Sequence, residues 1–121
     1  MAARGRGGTA QHRRHVDRAA LESCAHGERK AAHAASRARR GISRESVWIQ
    51  STPGGDFAIV YLEADDLQAA LAGLSTSPDP FDSWFREHTL EVHGLDLANG
   101  FPPPDQALDF RREPAAEGAV A

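Results

Sequence analysis

The side chains best equipped for chemistry in the second half of this 121-residue chain are His88 and His93. An imidazole titrates close to neutral pH, so either could act as a general base or a hydrogen-bond donor in a pocket between sheet and helices. Five positions apart on a helix, the two rings point about 140° apart, a poor geometry for one shared metal. Each also has a purely structural reading. His88 falls on an apolar stripe, as a buried ring held by a hydrogen bond would. His93 precedes Gly94, where a protonated ring suits the negative end of a helix dipole. Arg86 can hold an anionic substituent, and Trp48, Tyr61 and Trp84 offer flat apolar area with polar edges. On a catalytic reading His93, His88 and Arg86 do the work and Trp48, Gln50, Tyr61 and Trp84 bind the ligand; core packing accounts for the aromatics equally simply.

The other histidines, His12, His15, His26 and His33, lie among arginines. His12 and His15 are three apart but have no nearby cysteine and no second pair, so they make no zinc signature, and neither a metal nor a cofactor is expected. Cys24 is the single cysteine, which excludes an internal disulfide and makes a reducing, cytoplasmic setting the expectation. No apolar run has the length of a bilayer span, and the Arg-rich start lacks the apolar segment of a signal peptide.

These residues must be positioned by a hairpin over 45–63, read as ESVWIQS, a turn TPGGD and FAIVYLE. Nowhere else are β-branched and aromatic residues so dense. With 52–56 as the loop, Ser51 sits opposite Phe57, Ile49 opposite Ile59 and Val47 opposite Tyr61. One face then carries Val47, Ile49, Phe57, Ile59 and Tyr61, and the other Trp48, Gln50, Ala58, Val60 and Leu62. Both faces are largely apolar, so the hairpin needs two covers. The later helices supply one, and a second copy of the chain, or the chain's own N-terminal part, supplies the other.

Charge is divided along the chain. Residues 1–44 hold 11 basic and 3 acidic residues (net +8) and the remainder 3 basic and 14 acidic (net −11), which returns the overall −3. Such a division points either to a basic arm seeking a polyanion or to attraction between the two parts. Residues 1–13 read as a disordered basic tail, 14–112 as a single α+β domain and 113–121 as a second disordered tail. From His15 to Arg40 alanine and arginine favour a long helix, weakened at Gly27 and capped by Gly41, with Val16, Ala20, Cys24, Ala31, Ala35 and Ala38 as its thin apolar face. Asp65 and Gln68 suggest a capping box ahead of Leu67, Ala70, Leu71 and Leu74. Asp79 and Pro80 open a last helix whose stripe is Phe81, Trp84, Phe85, His88 and Val92, with Asp82 and Arg86 paired on its side and Gly94 as its end. Leu95 and Leu97 fold back onto it. Pro102, Pro103 and Pro104 form an extended linker before QALDF, which could add a strand or a helical turn.

The stretches AASRARRGISRE, WIQSTPGGDFAIVYLEADD and SPDPFDSWFREHTLEVHGLDL resemble a family of short, uncharacterised bacterial proteins placed with the dimeric α+β barrels. The resemblance covers residues 34–110, with the STPGGD turn and PFDSWFREHTLEVHGLDL as its most specific motifs. It implies a ferredoxin-like dimeric α+β barrel half: an antiparallel sheet with helices on one face, meeting a second copy through the other. The family's first strand has no counterpart in ARGRGGTAQHRRH, so that strand is expected to be missing and residues 1 to about 30 to be an atypical or mis-assigned start.

Relatives in that superfamily include cofactor-independent monooxygenases, mutarotases and haem-binding enzymes, so the fold alone selects no chemistry. The leading expectation is a small homodimeric binding or structural module with a possible small-molecule ligand and no membrane. The alternative is a cofactor-independent enzyme, monooxygenase- or mutarotase-like, acting on a small cyclic metabolite. A third class, nucleic-acid binding through the basic N-terminal helix, lacks interleaved aromatics and a reading motif.

Overall fold

The computed structural model describes residues 2–4, 16–101 and 105–114. It is an α+β arrangement whose elements follow one another as β1 (Ala2–Arg4), α1 (Arg18–Ala25), α2 (Lys30–Arg39), β2 (Ile42–Thr52), β3 (Gly55–Ala64), α3 (Leu67–Thr76) and α4 (Pro80–His93), ending in a 3-10 turn at Leu97–Asn99. The hairpin β2–β3 is the body of the sheet. β1 pairs antiparallel with β3 from Phe57 to Ile59, giving the order β1-β3-β2 and leaving β2 as an edge. Of the tail expected over 1–13, Ala2–Arg4 is the described part; the remainder lies outside the described residues, as does the end of the chain beyond 114.

The hairpin register differs by one from the expected one. Thr52 pairs with Gly55, so the loop is Pro53–Gly54, and the ladder runs Gln50↔Phe57, Ile49↔Ala58, Trp48↔Ile59, Val47↔Val60 and Ser46↔Tyr61. The tighter turn is stabilised by the Thr52 hydroxyl, which donates to the Gly55 carbonyl at 2.6 Å, and by Gly55 itself at φ +122°, a conformation only glycine takes freely. Because side chains alternate along a strand, a slip of one residue re-sorts the faces. The inner face is Glu45, Val47, Ile49, Ala58, Val60 and Leu62; the outer face is Trp48, Gln50, Phe57, Ile59 and Tyr61. Helices cover the inner face, and Trp48, Ile59 and Tyr61 stay exposed on the outer one.

The N-terminal helix is broken where Gly27 stands. Gly27 N–H donates to the Ser23 carbonyl, and a Cβ there would meet the Ser23 Cα at 2.9 Å, so the chain can turn this tightly only through glycine. The break changes the helical phase, and α2 does not bury the alanines expected to face inward. Ala31, Ala35 and Ala38 are exposed, whereas Ser36 and Arg37 are buried and His33 half-buried. Polar groups face inward here because Glu45 and Asp82 wait there to receive them.

The caps follow local chemistry. Asp66, rather than Asp65, caps α3 by accepting from Ala69 N–H at 3.0 Å; Asp65 N–H instead donates to the Gly41 carbonyl, tying α2's exit to β3's end. Asp79 caps α4 ahead of Pro80, and Gly94 ends it in the left-handed region at φ +71°. Leu97 folds back and is buried, and a small core joins Ile42, Ala70 and Leu74 with Leu62, Leu71 and Phe101 packed against it. The segment 105–114, including QALDF, forms neither strand nor helix and is exposed throughout.

Candidate functional site

Between the inner face of the hairpin and the helices lies a cavity of about 380 Å³. Its floor is Val47, Ile49, Ala58, Val60 and Leu62, and its walls come from Val16 ahead of α1, Leu21 and Cys24 of α1, Leu71 and Leu74 of α3, Trp84 and Phe85 of α4, and Leu97 and Phe101 after it. Volume and lining fall in the range of small-molecule sites, which are mostly apolar with a few placed polar groups.

The polar groups come from α2, β2 and α4. Glu45 is the one charged residue on the inner face of β2, and alternation with Val47 and Ile49 forces its carboxylate toward the helices. His33 and Arg37, one helical turn apart on α2, meet it there. Arg37 Nε donates to Oε1 at 3.1 Å and its Nη2 to Oε2 at 3.2 Å, a two-pronged grip, while His33 Nε2 lies 2.5 Å from Oε1. Burial alone would push the Glu45 carboxyl up, but the hydrogen bond from His33 and the charge and hydrogen bonds of Arg37 outweigh it and hold the group at about 2. The carboxylate is therefore ionised across the physiological range and its acceptor capacity is largely committed. A second carboxylate, the fully buried Asp82, sits at the start of α4. It accepts from the Ser36 hydroxyl and lies 3.7 Å from both Arg39 and Arg40. Burial raises its pKa, and the hydrogen bonds of Ser36 and Ser77 with the two arginines reverse that and lower it.

Across the cavity, His88 stacks on Trp84 with ring centroids 5.1 Å apart, and the Arg29 guanidinium sits 4.1 Å from the Trp84 ring centroid. His88 Nε2 lies 3.4 Å from Oδ2 of Asp17, whose Oδ1 caps α1 by accepting from Ala20 N–H. Cys24 lines the same space; burial pushes its thiol up, so it behaves as a small hydrophobe.

The residues singled out from sequence divide into three places. Trp84, His88 and His93 all line the cavity. Trp48, Gln50 and Tyr61 lie on the outer face, where the Tyr61 hydroxyl meets Glu63 at 2.8 Å. Arg86 joins α4 to α3, donating to the Leu74 carbonyl at 2.7 Å and to Ser83, and takes no part in the cavity; the expected pairing with Asp82 is replaced by these bonds. Glu45, His33 and Arg37 were not singled out. The signal that finds them is an acidic residue in phase with the apolar face of a strand, together with a His and an Arg at i, i+4 on the preceding helix.

Among the described residues no cluster of three His, Cys, Asp or Glu side chains could hold a metal ion, and no helix is long and apolar enough to cross a membrane. No family model, no curated protein and no solved structure matches the chain.

Proposed function

We propose that this chain is a small binding module of the ferredoxin-like dimeric α+β barrel type, acting in a reducing, cytoplasmic setting, with its ligand site in the cavity under the hairpin. The carrying observation is that cavity itself: a space of about 380 Å³ with aliphatic and aromatic walls, closed at one side by the Glu45–Arg37–His33 cluster. Internally neutralised charge leaves no strong site for an ionic ligand, so the ligand is a neutral, flat or cyclic molecule held mainly by burial. The exposed outer face of the same hairpin supports a homodimer in which two sheets meet. Engagement of Arg29, Arg37, Arg39 and Arg40 with groups of the same chain weighs against nucleic acid as the partner.

The test uses tryptophan emission. A Trp48→Phe chain keeps Trp84 as its only tryptophan, inside the cavity wall. Nitrobenzene, a neutral quencher of suitable size, should quench it saturably, and Val60→Phe, which fills the cavity floor, should abolish saturation. Linear collisional quenching in both chains would contradict the proposal.

A cofactor-independent enzyme is the second reading, favoured by the His33–Glu45 pair on the cavity wall, since a carboxylate that fixes an imidazole can prepare it for proton transfer. It requires ligand turnover that disappears in His33→Gln while Trp84 quenching persists.

A further inference from the structure

Five of the largest apolar side chains left in water belong to two surfaces that do not meet within one chain. On the outer face of the hairpin, Trp48, Ile59 and Tyr61 are 54%, 40% and 46% exposed; in the segment after the prolines, Leu108 and Phe110 are 83% and 79% exposed. At about 200 Å² for each large side chain, the three outer-face residues offer just under ~300 Å² per copy. A standard interface takes about 800 Å² from each partner. These three side chains alone supply only part of that area. Adding Leu108 and Phe110 brings the exposed apolar area to roughly 600 Å² per copy, most of what such an interface requires.

The segment's composition permits it to add to a sheet as a strand. Residues 105–113 contain no proline and lie between Pro102–Pro104 and Pro114, so no residue of that stretch lacks the N–H that a ladder needs. Leu108 and Phe110 are two apart and fall on one side of an extended chain. β2 is an edge strand over Ile42–Thr52, with one row of N–H and C=O groups unpaired by any described strand.

We infer that residues 105–113 of each copy cross to a second copy, add to its β2 edge and lay Leu108 and Phe110 beside its Trp48. The inference rests on the homodimer proposed above and names what completes it. Exchange of two identical arms is self-complementary and closes as a two-fold pair, so it ends at the dimer.

The experiment mixes two chains. One is unlabelled Cys24→Ser/Leu108→Cys carrying a nitroxide on the new thiol; the other is the ¹⁵N-labelled full chain. Broadening of the Trp48 indole N–H and of β2 amides in the labelled chain is expected. In sedimentation equilibrium, Leu108→Ser/Phe110→Ser should weaken dimerisation about 100-fold, each anchor accounting for about tenfold. A dimer without broadening and with unchanged affinity in the double variant overturns the arm exchange and leaves the sheet-face dimer standing. A full chain that stays monomeric at all concentrations overturns both.

Discussion

Glu45 shows how one residue sets the chemistry of a site. Its carboxylate faces an apolar floor, and the cost of removing it from water is met by His33 and a two-pronged Arg37. The group's pKa is about 2 in the folded chain, below the ordinary carboxylate value. A depressed folded pKa means that the stabilisation is fully present above the unfolded value near 4.5 and is lost as pH falls toward 2. Its size is on the order of 3 kcal/mol. Urea midpoints measured from pH 6 down to pH 2 should therefore decline steeply between pH 4.5 and 2. Glu45→Gln should flatten that decline and lower stability at pH 7 by about 3 kcal/mol, because the Arg37 charge then loses its partner. An unchanged slope in the variant would assign the acid sensitivity elsewhere. Asp82 gives a second case: Asp82→Asn should destabilise by ~2 kcal/mol, since the fully buried group loses its charge-assisted hydrogen bond from Ser36 and its attraction to Arg40, while Arg39 keeps Asp79.

At the scale of elements, the legible features were those fixed by short-range chemistry. Asp79 and Pro80 opening α4, Gly94 closing it, the break near Gly27 and the hairpin itself all follow from residue types within a few positions of one another. The hairpin register was less legible, because Thr52 and Gly55 close a two-residue turn where TPGGD also permits a five-residue one, and that single step re-sorts Trp48 and Val60 onto opposite faces. The inward face of α2 was illegible for a different reason. Alanines at helical spacing read as a buried stripe, yet here inward-facing carboxylates on β2 and α4 draw Ser36, Arg37 and His33 inward, a pairing between residues as far apart as 36 and 82. A pocket between sheet and helices was legible as the place for His88, His93 and Trp84, but its size and its Glu45–Arg37–His33 wall were not, since they depend on how far the helices stand from the sheet. Two substitutions test the local part. Asp66→Ala removes the cap of α3 and should cost ~1 kcal/mol in urea unfolding. Gly27→Ala should cost at least as much, because the added Cβ meets backbone rather than a movable side chain.

For the whole molecule, the hairpin has two apolar faces with different fates. The inner face, with Glu45 set among aliphatic residues, closes a cavity against four helices; the outer face, with Trp48, Ile59 and Tyr61, stays open in the single chain. A ligand site on one side and a partner on the other would use both. The three isoleucines separate the faces cleanly, for Ile42 and Ile49 line the cavity while Ile59 points away from it. The most direct test is a δ1-methyl spectrum of the isoleucine-labelled chain, titrated with nitrobenzene. Saturable shifts of Ile42 and Ile49 with Ile59 unmoved are expected; an Ile59 that shifts while Ile49 stays still would contradict both the register and the placement of the site.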